Sequence, residues 1–285
     1  MAPAPQFSSP HAPLYEPARH DLSIIIPAYN EAARLQLTLE ELRRFLLADG
    51  RSAEVLLVND GSTDGTAALA RNFSIPGVPL RVLENPGNRG KGYSVRHGML
   101  EARGGLLLFT DADLSAPIDE LHKLEAAISA GADVAIGSRK QRELIRRHQS
   151  RFREWAGKCF NRFVVLTLRL PISDTQCGFK LFRRPAAQAI FPAQRIEHWG
   201  FDPELLFLAR RFGFTVAEIP VVWAHAEGAK LRLGMDSASA FLEVLQIRWN
   251  ALRRRYRRAE ADARRRAASV CDPDCVFPPQ PPPTN

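Results

Sequence analysis

Cysteine and long apolar runs are both scarce in this sequence. Four of the 285 residues are cysteine, and the close pair Cys271 and Cys275 has neither a second pair nor a histidine at zinc-ligand spacing beside it. A structural zinc site is therefore excluded, and a reducing compartment is expected. No stretch approaches the roughly 18 consecutive apolar residues of a membrane span, and residues 1–20 contain no signal-peptide core. We expect a cytoplasmic chain, or one held peripherally on the cytosolic face of a membrane.

Negative charge is in the minority as well. The chain has 39 Lys and Arg against 31 Asp and Glu, which gives a formal net charge of +8. This balance favours polyanionic partners such as phosphorylated ligands, nucleic acid or anionic lipid headgroups, and it does not choose among them. The ordinary content of 45% hydrophobic and 25% charged residues is typical of one sizeable globular domain.

Short apolar runs alternate with helical periodicity through the first half of the chain. After the first run, Leu35, Leu39, Leu42 and Leu46 recur at the spacing of one helix face. Such alternation predicts an α/β fold with a mostly parallel central sheet and helices on both faces. The predicted strands are Leu22–Pro27, Val55–Val58, Leu80–Leu83, Leu106–Phe109 and Val134–Ile136.

The predicted organisation is one large domain with appendages. We expect disordered residues 1–20, a domain over 21–238, a basic amphipathic helix over 239–266 and a disordered proline-rich tail over 267–285. A second amphipathic stretch covers about 155–170. Either stretch could lie in a membrane interface or pack against the body of the protein.

The strand Leu106–Phe109 leads into two carboxylates, Asp111 and Asp113, separated by Ala112. Mg²⁺ and Mn²⁺ prefer oxygen ligands and keep positions open for substrate phosphates. The pattern therefore indicates a metal diphosphate site, with Ser115 able to support it. Capping of a helix or a turn is the alternative for an isolated Asp-x-Asp.

Three further polar loops each follow a predicted strand, and ligands of such sheets bind beyond the carboxyl ends of the strands. Asp60 can accept from a base N–H, Glu31 from ribose hydroxyls, and Lys91 can approach a phosphate between glycines. These roles fit a nucleoside diphosphate, whereas Asp64 could simply cap the following helix. The loops are Pro27–Glu31, Asn59–Gly65 and Asn85–Gly92.

In this order and spacing, these motifs resemble the nucleotide-sugar domain of family 2 inverting glycosyltransferases over about residues 20–140. Later segments extend the likeness to about residue 250 and resemble the dolichyl-phosphate glucosyltransferase branch more than the mannosyltransferase branch. They are Gly137–Arg139, Asp174–Phe182, Trp199–Glu204 and His225–Lys230. That branch commonly carries an amino-terminal membrane helix, which we do not find, so membrane contact is expected to rest on the two amphipathic stretches.

The resemblance implies a GT-A fold, a nucleotide-diphosphate sugar of the UDP-glucose type as donor, a polyprenyl phosphate lipid as acceptor, and Mg²⁺ or Mn²⁺ as cofactor. Asp111 and Asp113 would bind the metal. Arg139 and Arg151 would hold the acceptor phosphate. The residues expected at the nucleotide sugar are Pro27, Tyr29, Glu31, Asp60, Lys91, Asp111, Ala112, Gln176 and Lys230.

A phosphate acceptor is already an anion at neutral pH, so positioning by arginine is expected to matter more than a general base. Asp202 could orient acceptor or donor, or could begin the helix that Pro203 suggests. Gln176 could bind sugar hydroxyls or only shape the pocket, as we favour for Cys177. His225 and Lys230 belong to a loop that could close over the diphosphate or could simply be solvated.

Three other functions remain open on sequence alone. They are mannosyl transfer from GDP-mannose to polyprenyl phosphate, glycosyl transfer to a carbohydrate hydroxyl, and nucleic-acid binding through the arginine-rich helix. The last is disfavoured because few aromatic residues interleave with the arginines, and we expect no nucleic-acid partner. A nucleotidyltransferase is disfavoured because no Gly-rich basic loop follows the first strand.

Overall fold

In a computed structural model of the chain, residues 18–141, 144–147, 151–224 and 235–270 are described. Seven strands form one sheet in the order β3-β2-β1-β4-β7-β5-β8, and β6 pairs with β9 in a separate ribbon. The strands are β1 (His20–Ala28), β2 (Ala53–Asn59), β3 (Leu80–Glu84), β4 (Gly104–Thr110), β5 (Val134–Ser138), β6 (Ile145–Arg147), β7 (Phe179–Arg183), β8 (Val216–Pro220) and β9 (Trp223–Ala224).

Helices connect most of these strands. The first, α1, buries the leucine stripe that the sequence predicts and ends where Gly50 adopts a left-handed conformation that glycine tolerates well. The helices are α1 (Ala32–Asp49), α2 (Thr66–Asn72), α3 (Lys91–Glu101), α4 (Leu121–Ser129), α5 (Arg151–Leu168), α6 (Arg184–Ile190), α7 (Phe201–Phe212), α8 (Met235–Leu252) and α9 (Arg257–Val270).

The sheet is parallel except for β7, which runs antiparallel between β4 and β5. The parallel strands therefore all end at one edge of the sheet, and β7 begins at that same edge. The register pairs Thr110 at the end of β4 with Phe179 at the start of β7. This pairing brings the loop before β7 against the residues that follow β4.

Apolar side chains cover both faces of the sheet, as expected for a fold of this class. On one face α1 and α4 contribute Leu39 and Leu124 to a buried cluster. On the other face α3 and α7 contribute Val95 and Leu205 to a second cluster, which also includes residues of α5, α6, α8 and α9. The predicted helices on both faces and all five predicted strands are confirmed.

The segment predicted as one helix over 239–266 is two helices, α8 and α9, and α9 continues to Val270. The helix is interrupted because Tyr256 turns into the core, where it is fully buried and its hydroxyl donates to Glu204 at 2.6 Å. Arg254 in the interruption has a left-handed backbone with φ of 58°. The interruption thus exchanges helical hydrogen bonds for a buried tyrosine contact.

The other amphipathic stretch largely packs against the protein. In α5, Phe160, Val164 and Leu168 belong to the core, whereas Leu166 is exposed. The ring of Phe160 meets that of Phe241 on α8 edge to face at 4.9 Å. Over residues 157–168 of α5, whose side chains the structure describes, the stretch therefore packs against the body of the protein.

None of the helices in the described part of the chain combines the length and apolarity that crossing a membrane requires. Residues 1–17, 225–234 and 271–285 lie outside the described residues. The expected disorder at the amino terminus and in the tail falls on these residues, and so does the loop containing His225 and Lys230.

Buried Glu204 gives a first stability prediction. Its carboxylate accepts from Tyr256 and from the backbone N–H groups of Arg195 and Ile196. Tyr256→Phe removes one donor from a buried acceptor, so we expect the free energy of unfolding to fall by about 1–3 kcal/mol. Urea unfolding measures the change. Tyr93→Phe, which removes the same atom from a half-buried ring, should cost less, and equal losses in both variants would contradict the role of the buried contact.

Candidate functional site

Polar side chains gather where the parallel strands end. Asp60 follows β2, Lys91 opens α3 after β3, Asp111 and Asp113 follow β4, and Arg139 follows β5. Since all these strands point the same way, the four loops meet at one edge of the sheet. The structure thus brings together the loops that the sequence assigned to one site.

Lys91 and Asp111 form the centre of this cluster. The Nζ atom of Lys91 lies 2.5 Å from Oδ1 of Asp111, and 5.7 Å from the centroid of the Trp199 ring. Burial lowers the pKa of Lys91, but Asp111 and then Asp202 outweigh burial and hold that pKa above its ordinary value. The ammonium therefore stays charged in the site.

Gly178 makes room for Asp111. A Cβ atom on Gly178 would lie 2.3 Å from Oδ2 and 2.6 Å from Cγ of the Asp111 side chain. Side chains do not approach so closely, so any larger residue would displace the carboxylate or the loop before β7. The pairing of Thr110 with Phe179 creates this contact, because it sets Gly178, which precedes β7, beside Asp111, which follows β4.

Asp113 is held from two sides. Its Oδ1 accepts from the backbone N–H of Ser115 at 3.0 Å and from the hydroxyl of Ser115 at 2.8 Å. Its Oδ2 lies 3.6 Å from Nη1 of Arg34 on α1. Leu114, which lies between Asp113 and Ser115 in the sequence, adopts φ of 45°, a conformation uncommon for leucine. Ser115 thus orients the carboxylate, as the sequence predicted for a supporting residue.

The donor set suits a hard divalent cation. No group of three or more His, Cys, Asp or Glu side chains within the described ranges is arranged to hold a metal ion. Asp111 and Asp113 supply two carboxylates one residue apart, which is fewer ligands than a structural site needs. The pair fits a Mg²⁺ or Mn²⁺ ion that takes its remaining ligands from substrate phosphates and water.

The loop after β1 places Glu31 at the start of α1. Its carboxylate accepts from Nε and Nη2 of Arg34, three residues further along the helix, and its backbone N–H donates to Thr66 at 2.7 Å. Tyr29 is exposed at the same edge, and Pro27 is half-buried within β1. Arg34 therefore links Glu31 to Asp113, a connection that the sequence analysis missed although the i, i+3 spacing from Glu31 allows it.

Asp60 is buried and organises the loop before α3. Its carboxylate accepts from the backbone N–H groups of Arg89 and Gly90 at 3.0 and 2.8 Å, and from the side chain of Asn85 at 2.7 Å. A carboxylate offers about four acceptor positions, so about one remains for a base N–H. Asp60 thus shapes the Gly-rich loop in addition to any contact with a nucleotide.

Asp64 acts as a local cap. Its Oδ1 accepts from the backbone N–H of Thr66, the first residue of α2, at 3.0 Å. Its Oδ2 accepts from the N–H of Ala32, the first residue of α1, at 3.2 Å. These bonds satisfy donors at two helix starts, as the capping interpretation of Asp64 predicts.

Arg139 is fixed by Asp174 from the loop before β7. Its Nε and Nη2 each donate to one carboxylate oxygen at 2.8 Å, and its backbone N–H also donates to Asp174 at 3.0 Å. The guanidinium lies 5.4 Å from the centroid of the Trp223 ring. Glu218 on β8 accepts from the backbone N–H groups of Ser173 and Asp174, which secures the loop itself. This pairing places the arginine rigidly at the edge of the site.

Asp202 lies in the first turn of α7 and is buried. The helix has Gly200 at its N-cap and no side-chain cap hydrogen bond. The Oδ1 atom of Asp202 instead accepts from Nζ of Lys180 on β7 at 2.5 Å. Burial raises the pKa of Asp202, with Lys180 and then Lys91 opposing the rise. Asp202 therefore pairs with Lys180 and does not cap the helix.

The remaining predicted residues divide by position. Gln176 is half-buried, and its backbone N–H donates to Asp174 at 3.2 Å. Burial raises the pKa of the Cys177 thiol to about 12, which makes it a packing residue and agrees with the interpretation favoured for it. Arg151 begins α5, Ala112 is buried and its carbonyl accepts from Thr38, and Lys230 lies outside the described residues.

Lys180 and Asp174 are residues whose roles sequence reasoning missed. A lysine inside the apolar strand Phe179–Arg183 is a signal in itself, because buried lysines are rare unless paired. Nothing in the sequence indicates its partner, which lies 22 residues away on another element. The pairing of Asp174 with Arg139 is likewise formed only by the antiparallel course of β7.

The profile of Glycosyl transferase family 2 matches residues 23–191. This match spans more than half of the chain, and the chain belongs to that family, as the motifs predicted. It is a glycosyltransferase.

Three similar proteins from other organisms share one name. The chain is 41% identical over 252 residues to the dolichyl-phosphate beta-glucosyltransferase of Drosophila melanogaster, with 80% of this chain and 77% of that protein covered. The corresponding values are 37%, 83% and 76% for the protein of the same name from Saccharomyces cerevisiae. They are 34%, 83% and 79% for the one from Homo sapiens.

A solved structure has the same fold. The crystal structure of glucosyl-3-phosphoglycerate synthase from Mycobacterium tuberculosis, in complex with Mn²⁺, uridine diphosphate and glucosyl-3-phosphoglycerate, aligns with a TM-score of 0.62 at 20% identity. The alignment covers 84% of this chain and 86% of that one. The chain therefore has the predicted GT-A fold.

The pairing of Asp174 with Arg139 predicts a pH-dependent stability. Burial opposes ionisation of Asp174, but Arg139 overcomes it and lowers the pKa from 3.8 to about 2. A carboxylate whose pKa is lowered by folding stabilises the fold above its ordinary pKa and loses that contribution as the pH falls toward the folded value. Asp174→Asn should therefore lower the free energy of unfolding by about 2 kcal/mol at neutral pH.

Urea unfolding across a pH series measures this effect. The difference between wild type and Asp174→Asn should be constant from about pH 7 to 5 and should shrink between about pH 4 and 2. Asp119, whose pair with Arg44 lies on the surface, gives the matched control. Asp119→Asn should change the stability much less than Asp174→Asn does, because solvent screens an exposed pair. A pH-independent effect of Asp174→Asn would contradict the ionic pairing.

Proposed function

We propose that the chain transfers a glucosyl group from UDP-glucose to the phosphate of a dolichyl-type polyprenyl lipid, with inversion and with Mg²⁺ or Mn²⁺. Three relatives that it matches over most of their length, from fly, yeast and human, carry the name dolichyl-phosphate beta-glucosyltransferase. Their names favour a glucosyl over a mannosyl donor. Residues of the described site are compatible with each part of this reaction.

One observation carries the proposal. Lys91, Asp111 and Asp113 lie together at the edge where Arg139 also lies, so one end of the sheet offers both a metal diphosphate site and a fixed guanidinium. An enzyme that joins a nucleotide-diphosphate sugar to a lipid phosphate must bind two phosphorylated substrates close together. Carboxylates, a lysine and an arginine at one edge meet that requirement.

The chain's own residues divide the work on the donor. Asp60 keeps the loop of Arg89 and Gly90 in place, and Lys91 at the start of α3 presents its ammonium to the diphosphate. Asp111 and Asp113 would hold the divalent cation, which when bound supplies charge stabilisation to the departing diphosphate. Lys91 adds a second positive charge that is present before reaction begins, so little reorganisation is required.

Binding and orientation dominate on the acceptor side. A lipid phosphate is an anion at neutral pH and needs no base to become nucleophilic. Arg139, held in one orientation by Asp174, would bind that phosphate through the part of the guanidinium that the pair leaves available. Arg151 at the start of α5 would add a second contact to the acceptor phosphate, as the family resemblance implies. Lys230 would instead contact the diphosphate of the donor.

Purified protein incubated with Mn²⁺, short polyprenyl phosphate and either UDP-glucose or GDP-mannose tests the proposal, with lipid-linked sugar followed by mass spectrometry. We expect glucosyl lipid from the wild type and at least about a hundredfold less from Asp113→Ala. Gly178→Ala should lower the rate at least about tenfold, because the added Cβ displaces Asp111.

Gly157→Ala is the matched control for that variant. A Cβ on Gly157 meets nothing within 4 Å, and the residue lies within α5, where alanine is favoured. Its rate should equal that of the wild type. Mannosyl lipid alone would keep the lipid acceptor and reject the donor. No lipid product in the presence of tight UDP-glucose binding would reject the acceptor.

We also propose that α8 rests on the membrane that carries the acceptor. Its outward face exposes Leu242 by 67%, Leu245 by 50%, Trp249 by 53% and Leu252 by 66%. Exposed arginines follow immediately at 253–255 and at 257 and 258, and Arg253 lies over the Trp249 ring at 4.5 Å. An apolar stripe with arginines at its end suits an interface of acyl chains and anionic headgroups.

Cys159 and Cys177 are free thiols, in keeping with the cytosolic face.

Flotation with vesicles of neutral and anionic lipid tests this contact. Leu245→Glu/Trp249→Glu should lower binding to anionic vesicles at least about tenfold, because it removes apolar area and adds like charge to the headgroups. Leu37 and Leu100 are exposed leucines on α1 and α3, and Leu37→Glu/Leu100→Glu should leave binding unchanged. Equal losses from both pairs, or no binding by the wild type, would reject α8 as the contact.

A further inference from the structure

Lys180 is a lysine in the middle of the sheet. It lies on β7 opposite Phe109 of β4 and Ile136 of β5, and its side chain is completely buried. Removing an ammonium from water is costly unless charges and hydrogen bonds compensate for it. A methionine or leucine would fill such a position with less cost, so the lysine requires an explanation in the contacts of its charge.

The ammonium makes two hydrogen bonds of different kinds. Nζ donates to Oδ1 of Asp202 at 2.5 Å and to the carbonyl oxygen of Cys177 at 2.6 Å. It lies 5.2 Å from the centroid of the Phe109 ring, whose face adds a further favourable contact. Lys180 thus joins the first turn of α7 to the loop that precedes β7.

Both ends of this connection belong to the site. The loop of Cys177 also contains Asp174, which holds Arg139, and Gly178, which packs against Asp111. At the other end, Asp202 directly follows Phe201, whose ring centroid lies 6.0 Å from Nζ of Lys91, and the negative charge of Asp202 favours the charged form of Lys91. One buried ammonium therefore couples the side of the site that holds Arg139 to the side that holds Lys91.

The electrostatic setting indicates what Lys180 contributes. Asp202 is buried close to Lys91 and to the like charge of Asp111, and burial raises its pKa. Lys180 is the largest of the charges that oppose this rise, ahead of Lys91. Without it the carboxylate would lose its hydrogen-bonded partner and its fixed direction within the site.

We propose that Lys180 is a positioning residue, which holds the Asp202 carboxylate in place beside the Lys91–Asp111 pair while it fixes the loop before β7. The inference rests on the proposed function for its kinetic consequence. Asp202, aligned in this way, orients the reacting groups, and Lys180 acts through it without touching a substrate. The sequence offered Asp202 as a residue that could orient acceptor or donor, but it indicated no role for the lysine.

A double-mutant cycle tests the proposal, with Lys180→Met, Asp202→Asn and the double variant assayed for transfer from UDP-glucose. We expect Lys180→Met to lower kcat at least about tenfold. The affinity for UDP, measured by calorimetry with Mn²⁺, should stay within about twofold of the wild type, since Lys180 does not touch the nucleotide loops. In the Asp202→Asn background the lysine substitution should cause a much smaller further loss of kcat, because only its contact with the loop before β7 remains to be removed.

Stability provides the second readout, and it needs no substrate. Lys180→Met leaves a buried carboxylate without its partner, whereas the double variant replaces both charges, so the double variant should have a higher melting temperature than Lys180→Met. Lys123→Met removes a lysine from an ion pair of 2.6 Å with Glu120 nearer the surface. As the matched control, Lys123→Met should leave kcat unchanged, both in the wild type and in the variants of the cycle.

The outcomes separate the two proposals. Unchanged kcat in Lys180→Met, or losses of kcat that multiply in the double variant, would overturn the positioning role. The positioning role would also be overturned if kcat and the affinity for UDP fell equally in Lys180→Met and in the double variant. That result would mean that Lys180 only holds the strand in place. Absence of transfer by the wild type, with the stability cycle as expected, would reject the proposed function and leave the buried pair supported.

Discussion

The antiparallel course of β7 between β4 and β5 determines the composition of the site. A parallel strand in this place would bring its last residue to the edge where the ligands bind, and its first residues would lie at the opposite edge. Because β7 runs the other way, the loop before it arrives beside the residues that follow β4, in the register of Thr110 and Phe179. Asp174 and Gly178 reach Arg139 and Asp111 only for this reason. Arg139, which we propose for the acceptor, and Asp111, which we propose for the metal, thus both depend on one strand pairing.

The charges at this edge alternate in sign. Lys180 pairs with Asp202, Lys91 with Asp111, and Arg34 contacts both Glu31 and Asp113. These four carboxylates are thus each held by a cation of the chain before any ligand binds. Burial would otherwise drive acidic groups toward the neutral form. The site is therefore preorganised, and the cation and diphosphate that we propose would exchange partners within an existing network and add no isolated charge.

Much of the sheet could be predicted from sequence because its evidence is local. The five predicted strands are apolar runs, the leucines of α1 follow helical spacing, and the motifs after the strands lie in the order that the family shares. The missing parts depend on contacts distant in sequence. Lys180 meets Asp202, and Arg34 meets Asp113, through tertiary packing that no spacing encodes. Likewise the break between α8 and α9 exists because Tyr256 finds Glu204, which is 52 residues earlier.

The apolar residues of α8 lie on two faces of the helix, whereas the sequence analysis predicted a single apolar stripe. Its apolar residues are too many for one face, because Val244 and Ile247 pack into the core while Leu245 and Trp249 point outward. Glu243, between these faces, accepts from the backbone N–H of Gly200 at 2.7 Å, at the N-cap of the helix that carries Asp202. A rigid helix that touches both a membrane and the start of α7 would fix the height of the site above the lipid surface. An acceptor phosphate attached to a membrane-embedded chain requires such a fixed height, since it cannot move far from the headgroup layer to find Arg139.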